Sequence, residues 1–172
     1  MKKKIIIFGS TGSIGESTLD ILSQHSDKYE VIGLSINSNY KKLLQQVKEF
    51  NPKVVSISDN FAFKKFEDLC SDNKLKILNG IDSLTNILEY EFDMIVAGIT
   101  GAAGLMPVVK ATQMGKTIAL ANKESLVCSG SLITSLAKKS GALILPIDSE
   151  HNAIHQVLDL NNKSNVSKLI LT

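Results

Sequence analysis

The sequence predicts an α/β fold: a mostly parallel sheet with helices on both faces. Three observations lead there. Short apolar runs at 5–8, 31–35, 54–57, 75–78, 94–97, 117–120 and 142–145 read as buried strands. Most are separated by stretches of helical spacing, and strands that alternate with helices make βαβ units with right-handed crossovers. The first run passes directly into Gly9-Ser10-Thr11-Gly12-Ser13-Ile14-Gly15, a strand, glycine-rich turn and helix start at the beginning of the chain. Together these describe a Rossmann-like, doubly wound sheet.

The glycine-rich turn is a phosphate cradle. Glycines allow a tight turn and close approach of a pyrophosphate, and the following helix offers unpaired N–H groups and the positive end of its dipole. The spacing is G-x-x-G-x-x-G, with Thr11 where the common dinucleotide fingerprint has its second glycine. The alternative is a strand-to-helix turn without a ligand. In the first helix Ile14, Thr18, Ile21, Leu22 and His25 can share a face; in the second, Leu43, Leu44, Val47 and Phe50 can.

NAD-preferring sites place a carboxylate about 20 residues beyond the glycines. Here the count from Gly15 falls on Ser35, and Ser35-Ile36-Asn37-Ser38-Asn39 contains none. Its absence favours NADP, whose 2′-phosphate a carboxylate would repel. Lys41 or Lys42 adds charge if the helix start points it inward. Ser38 or Asn39 also suits the N-cap of the next helix.

Two polar clusters follow later strands, at the strand ends where open α/β sheets bind ligands. Ala121-Asn122-Lys123-Glu124-Ser125 follows the run 117–120; Asn122 as N-cap, with Glu124 favouring the dipole, is the alternative to a ligand role. Pro146-Ile147-Asp148-Ser149-Glu150-His151-Asn152 follows the run 142–145. If that segment stays extended, Asp148 and Glu150 point the same way and present two carboxylates to a hard cation such as Mg²⁺ or Mn²⁺, with a third ligand required. His151 would then point away. Alternatively, Asp148 or Ser149 caps a helix through Ile154 and Val157.

Bulk properties exclude other classes. The 172 residues carry a net charge of +2, 44% hydrophobic residues and no Trp, with no basic stripe and no stacking platform, so no nucleic-acid partner is expected. Lys2-Lys3-Lys4 precedes only about five apolar residues, short of a signal peptide's h-region, and no run of about 18 apolar residues suggests a membrane span. Cys70 and Cys128 lack metal spacing and read as reduced thiols of a cytoplasmic protein. Asn161-Asn162-Lys163-Ser164-Asn165 is a polar turn cluster, and 166–172 reads as a strand in which the sequence stops, which suggests a piece of a longer protein or an edge strand.

These segments, in this order and spacing, resemble the N-terminal part of the 1-deoxy-D-xylulose 5-phosphate reductoisomerase family. The stretches that carry the resemblance are Gly9 to Gly15, Leu120-Ala121-Asn122-Lys123-Glu124-Ser125-Leu126-Val127, Pro146 to Ile154, and Gly101-Ala102-Ala103-Gly104-Leu105 with Pro107. The resemblance implies conversion of 1-deoxy-D-xylulose 5-phosphate, a small phosphorylated sugar, to 2-C-methyl-D-erythritol 4-phosphate in the non-mevalonate route to isoprenoids, with NADPH and Mg²⁺ or Mn²⁺. A metal acting as Lewis acid and template would assist the skeletal rearrangement, and hydride from NADPH would reduce the resulting aldehyde.

The roles implied are specific. Gly9, Thr11, Gly12, Ser13 and Ile14 hold the pyrophosphate of NADPH. Asn37, Ser38 and Asn39 stand where the family usually has Gly-x-Asn; Asn tolerates positive φ, so Asn37 can replace the glycine. Asn122 and Glu124 contact cofactor, Lys123 and Ser149 contact substrate, Asp148 and Glu150 ligate metal, and Lys123, Asp148 and Glu150 are the expected catalytic residues. The expected organisation is an NADPH-binding domain over 1–150 and the start of a catalytic and connective domain over 151–172. The family's proteins are more than twice as long, with a third metal carboxylate beyond Thr172, and the full-length protein is expected to be a homodimer. The 172 residues alone are expected to turn over substrate negligibly. Competing readings are an NADP-dependent dehydrogenase of the semialdehyde or homoserine type, which would need no divalent metal, and a non-catalytic dinucleotide-binding module.

Overall fold

The computed structural model describes residues 1–80, 82–158 and 166–168. Seven strands appear among them: β1 Lys3–Phe8, β2 Tyr29–Ile36, β3 Val54–Ile57, β4 Lys76–Asn79, β5 Met94–Ala97, β6 Thr117–Leu120 and β7 Leu143–Pro146. The helices are α1 Ser13–Gln24, α2 Tyr40–Phe50, α3 Asn60–Leu69, α4 Ser83–Asn86, α5 Leu105–Gln113, α6 Lys123–Ser140 and α7 Ser149–Val157, with short 3-10 turns at Ile87–Glu89 and Ala102–Gly104. The strand order is β4-β3-β2-β1-β5-β6-β7, and every pairing is parallel. The expected doubly wound sheet is present. β4 and β7 each start and end one residue later than the apolar runs suggest, because Leu75 and Ala142 lead into the strands rather than belong to them.

The central strand explains why its run is apolar throughout. Ile5 and Ile7 pack on one face with Leu19 and Leu22 of α1, Leu43 and Val47 of α2, and Phe66 of α3. Ile6 and Phe8 pack on the other with Ile87, Leu88 and Phe92, Val108 of α5 and Ile133 of α6. A parallel strand covered on both sides has no polar face to show. No described helix is long and apolar enough to cross a membrane.

The expected faces of the first two helices need adjustment. In α1 the buried residues are Gly15, Leu19 and Leu22, whereas Ile21 is 55% exposed and His25 is exposed. The cause is Gly15: a Cβ there would lie 2.4 Å from the Gly9 carbonyl oxygen. Without one, the helix rolls its Gly15 side down onto the turn. In α2 Leu43 and Val47 are buried as expected, joined by Gln46. The polar cluster at 161–165 and, apart from residues 166–168, the expected terminal strand lie outside the described residues.

Candidate functional site

Because β2, β3 and β4 lie to one side of β1 and β5, β6 and β7 to the other, the chain changes direction between β1 and β5. A crevice must open at the C-terminal ends of those two strands, the usual place for a ligand in such sheets. A cleft of about 520 Å³ lies there, lined by Gly9, Thr11, Gly12, Ser13 and Ile14 from the first turn, Asn37 after β2, Ser58 after β3, and Gly98, Ile99 and Thr100 after β5. Six of the predicted cofactor residues, Asn37 among them, therefore meet in one cavity, whereas Ser38, Asn39, Asn122 and Glu124 do not line it.

The turn is shaped for an anion. Gly9 sits at φ +76°, which glycine alone adopts freely, and its amide is fixed by the Ser35 carbonyl at 3.0 Å. Gly12 is the N-cap of α1 and supplies no side-chain cap, so the first-turn N–H groups of α1 are left to a ligand or to solvent. A Cβ at Gly12 would meet nothing nearer than the Gly9 oxygen at 3.4 Å. The fold itself would thus accept a side chain at Gly12; the free space lies on the cleft.

At the end of β2 two expectations are corrected. Asn51 is the sole non-glycine residue with positive φ among the described residues, so Asn37 adopts no left-handed conformation and needs no glycine-like tolerance. Lys42 does not point into the cleft: its ammonium pairs with the Glu16 carboxylate, joining α2 to α1. Asn37, Ser38 and Asn39 are exposed. Asn39 is the N-cap of α2, its Oδ1 accepting from the Lys42 amide at 3.2 Å, which leaves its Nδ2 donors unengaged among the described residues.

Asn122 is 3% exposed and caps α6. Its Oδ1 accepts from the Ser125 amide at 2.9 Å and the Ser125 hydroxyl at 3.3 Å; its Nδ2 donates to the carbonyls of Ile99 and, at 2.9 Å, Gly101. Two donors and two acceptor sites are all an amide has. The side chain thus clamps the segment after β5 that lines the cleft. Gly104 completes the clamp, since a Cβ there would lie 2.8 Å from Asn122 Nδ2. Glu124, in the first turn of α6, is exposed.

Beyond β7 the chain does not stay extended. Asp148 is the N-cap of α7, its Oδ2 accepting from the His151 amide at 3.3 Å and lying 2.6 Å from His151 Nδ1. Helix geometry starts at Ser149, so Asp148 and Glu150 are not aligned by strand alternation, and His151 turns back towards Asp148 rather than away. Glu150 Oε1 is 3.2 Å from Lys123 Nζ, and its Oε2 accepts from the Ser149 hydroxyl at 2.8 Å. Its pKa is pushed down to about 2, by its own backbone amide first, then Ser149, then the Lys123 ammonium. The structure brings Lys123, Ser149 and Glu150 together between the ends of β6 and β7. Two hard carboxylates, Glu150 ionised at any ordinary pH, suit a divalent cation in kind. No group of three metal-binding side chains occurs among the described residues, so further ligands would have to come from elsewhere.

Sequence reading missed two residues that hold this site, Ser10 and Gln46, both buried. A signal existed for one of them, because Gln46 lies on the α2 face otherwise formed by Leu43, Val47 and Phe50.

Comparison with known proteins agrees with this fold. A family model described as 1-deoxy-D-xylulose 5-phosphate reductoisomerase matches residues 5–130. A curated 1-deoxy-D-xylulose 5-phosphate reductoisomerase of Thermoanaerobacter sp. (strain X514) is 46% identical over 170 residues, which is 99% of this chain and 44% of the relative. Among solved structures, the Zymomonas mobilis 1-deoxy-D-xylulose 5-phosphate reductoisomerase in complex with NADPH superposes with a TM-score of 0.89 at 37% identity, over 95% of this chain and 43% of that one. DOX-P reductoisomerase in complex with NADPH, fosmidomycin and magnesium gives 0.86 at 43% identity, over 95% of this chain and 40% of that one. The chain spans less than half the length of these relatives.

Proposed function

The chain belongs to the 1-deoxy-D-xylulose 5-phosphate reductoisomerase family, and from that premise we propose that it forms the NADPH-binding part of an enzyme converting 1-deoxy-D-xylulose 5-phosphate to 2-C-methyl-D-erythritol 4-phosphate. The single observation that carries the cofactor reading is the uncapped start of α1, opening with Gly9 and Gly12 onto the switch-point cleft. Residues 1–150 make up this domain, and 151–172 begin the catalytic and connective part; the boundary falls two residues inside α7, which starts at Ser149.

Each residue has a task its surroundings support. Gly9, Thr11, Gly12, Ser13 and Ile14 bind the pyrophosphate, through backbone N–H groups and the dipole of α1. Asn37, Ser38 and Asn39 receive the ribose 2′-phosphate, with Asn39 Nδ2 as donor. Asn122 acts on the cofactor through the Ile99–Gly101 backbone it clamps, and Glu124 stands at the same helix start. Lys123 and Ser149 hold polar groups of the substrate. Asp148 and Glu150 would hold Mg²⁺ or Mn²⁺, Asp148 with Oδ1 because His151 occupies Oδ2. When bound, the cation supplies Lewis acidity and a template for adjacent substrate oxygens. Lys123 orients Glu150 and balances its charge. The intact protein is proposed to be a cytoplasmic homodimer acting on a phosphorylated sugar, Cys70 and Cys128 being free thiols.

Titration of the 172-residue chain with NADPH and with NADH, followed by nicotinamide fluorescence, tests the cofactor assignment. Tighter binding of NADPH is expected; binding of neither would overturn it. Metal-dependent substrate turnover is expected to be negligible for these residues alone, and measurable turnover would contradict the assignment of missing ligands to a longer polypeptide.

A further inference from the structure

We infer that Gln46 is a positioning residue that sets the spacing between the two anion subsites of the cofactor cleft, and thereby the preference for NADPH over NADH. The inference rests on the cofactor reading above.

Gln46 lies in α2, 6% exposed, and turns both its amide oxygen and its amide nitrogen to one residue of the glycine-rich turn. Its Oε1 accepts from Ser10 Oγ at 2.8 Å, and its Nε2 donates to the Ser10 carbonyl at 2.8 Å. The amide orientation is fixed by chemistry: the Ser10 carbonyl only accepts, so a flipped amide would set oxygen against oxygen. Ser10 is itself fully buried, and its amide donates to the Ser35 carbonyl at 2.9 Å, beside the Gly9 amide at 3.0 Å. A closed ring results. It runs from the turn at Ser10 to Ser35 in β2, along Ile36 to Asn39, through the capped start of α2 to Gln46, and back to Ser10. The pyrophosphate is read at one point of this ring and the ribose 2′ end at another. Gln46 is the closing link, and it touches neither ligand group.

A residue with that placement has a signature that general stabilisation lacks. NADH uses only the pyrophosphate point, whereas NADPH needs both points at a fixed separation. Opening the ring should therefore weaken NADPH binding more than NADH binding. Gln46→Met keeps the length and volume but makes neither bond. Gln46→Glu keeps the acceptor for Ser10 Oγ and turns the second contact into repulsion, so it should not rescue. The unpaired Ser10 carbonyl costs stability with and without cofactor alike; what reaches binding is the loosened spacing of the two points, expected as a loss of roughly tenfold in NADPH affinity.

The experiment is a fluorescence titration of the wild-type chain, Gln46→Met, Gln46→Glu and Ser10→Ala with NADPH and NADH, with circular dichroism confirming that each variant folds. Ser83→Ala is the control, since it breaks a buried hydroxyl pair with Ser56 (2.9 Å) that shares no bond with the ring. The expected result is a Kd ratio, NADH over NADPH, reduced at least threefold in both Gln46 variants and unchanged in Ser83→Ala. Equal weakening of the two cofactors, or no weakening, would overturn the inference while leaving the cofactor reading intact. Absence of dinucleotide binding by the wild-type chain would instead remove the cofactor reading itself, and the inference with it. If Gln46→Met does not fold, Gln46→Glu and Ser10→Ala decide the question by the same ratio.

Discussion

Replacing Gly15 by alanine separates the close-packing role of that glycine from ordinary helix propensity. By propensity alone, alanine in a helix interior is better than glycine by roughly 1 kcal/mol. The structure reverses the sign. A Cβ at residue 15 would lie 2.4 Å from the Gly9 oxygen, 2.5 Å from Ser10 Cα and 2.6 Å from the Ser10 carbonyl carbon. All three are backbone atoms, so no rotamer change relieves the contact. The start of α1 must lift by roughly 1 Å for ordinary van der Waals separation. That movement loosens Leu19 and Leu22 from the sheet and strains the Gly12 N–H bond to the Gly9 oxygen, now 3.1 Å long. Overpacking of this kind costs about 1–3 kcal/mol, sometimes more, and a weakened hydrogen bond adds about 1 kcal/mol. Net of the propensity gain, a loss of about 2 kcal/mol is expected, a fall in Tm of about 4–8 °C for a chain of this size. Thermal unfolding by circular dichroism measures it, with Gly130→Ala as internal control. Gly130 follows the kink at Ser129 in α6, with the nearest atom to its would-be Cβ 4.0 Å away, and its replacement should not lower stability. If Gly15→Ala raised Tm, the close approach of turn and helix would be wrong.

Four further outcomes follow from the same geometry. Gly12→Ala should leave Tm within a few degrees, yet weaken NADPH binding by roughly tenfold or more, since its methyl group enters the cleft and its φ of −87° suits alanine; calorimetric titration reads this, and unchanged affinity would remove Gly12 from the site. Asn122→Ala removes an N-cap and leaves the Ile99 and Gly101 carbonyls without their donor, so urea unfolding should show a loss of about 2–4 kcal/mol; a loss under about 1 kcal/mol would deny the clamp. Ser38→Lys should sharpen the preference for NADPH roughly fivefold, from about 1 kcal/mol of screened attraction at about 4 Å, and Ser38→Asp should blunt it; no change in either would place the 2′-phosphate elsewhere. The pair of Lys4 and Glu91 contributes to the pH dependence: the hydrogen bond from Lys4 lowers the Glu91 pKa below its usual 4.5, and the same bond raises that of Lys4 above 10.5. Glu91 therefore contributes stability above pH 4.5 that fades as pH falls through its lowered value, and Lys4 contributes below pH 10.5 what is lost as pH rises through its raised one. Glu91→Gln should lower Tm slightly at neutral pH and not at all in strong acid; an equal effect at both would show that charge is not involved.

The strands were legible because a parallel strand buried on both faces reads as an unbroken apolar run, and all seven runs became strands. What escaped is what depends on how elements cross. Nothing in the local pattern of α1 says that Gly15, rather than Ile21, faces inward; that follows from the Gly9 oxygen lying against it. The bond between Ser10 and Gln46 spans 36 residues and exists because α2 crosses behind the turn. Only the polar residue on an apolar helix face hinted at it.

The clusters after β2, β6 and β7 show why capping and ligand binding are poor alternatives to one another. Asn39, Asn122 and Asp148 are all N-caps, and all stand at strand ends where the sheet gathers its ligands. Parallel topology makes this unavoidable, because each strand end on the ligand side is also a helix start. What separates the three is the bonding capacity left after capping. Asn39 spends one acceptor on the Lys42 amide and keeps both Nδ2 donors, which suits a phosphate. Asp148 spends Oδ2 on His151 and keeps Oδ1, which suits a cation. Asn122 spends everything it has on Ser125, Ile99 and Gly101, so whatever it does for a cofactor it does by holding the backbone that lines the cleft. The sequence pattern presents three equivalent caps; the count of remaining donors and acceptors, which only the folded structure supplies, tells them apart.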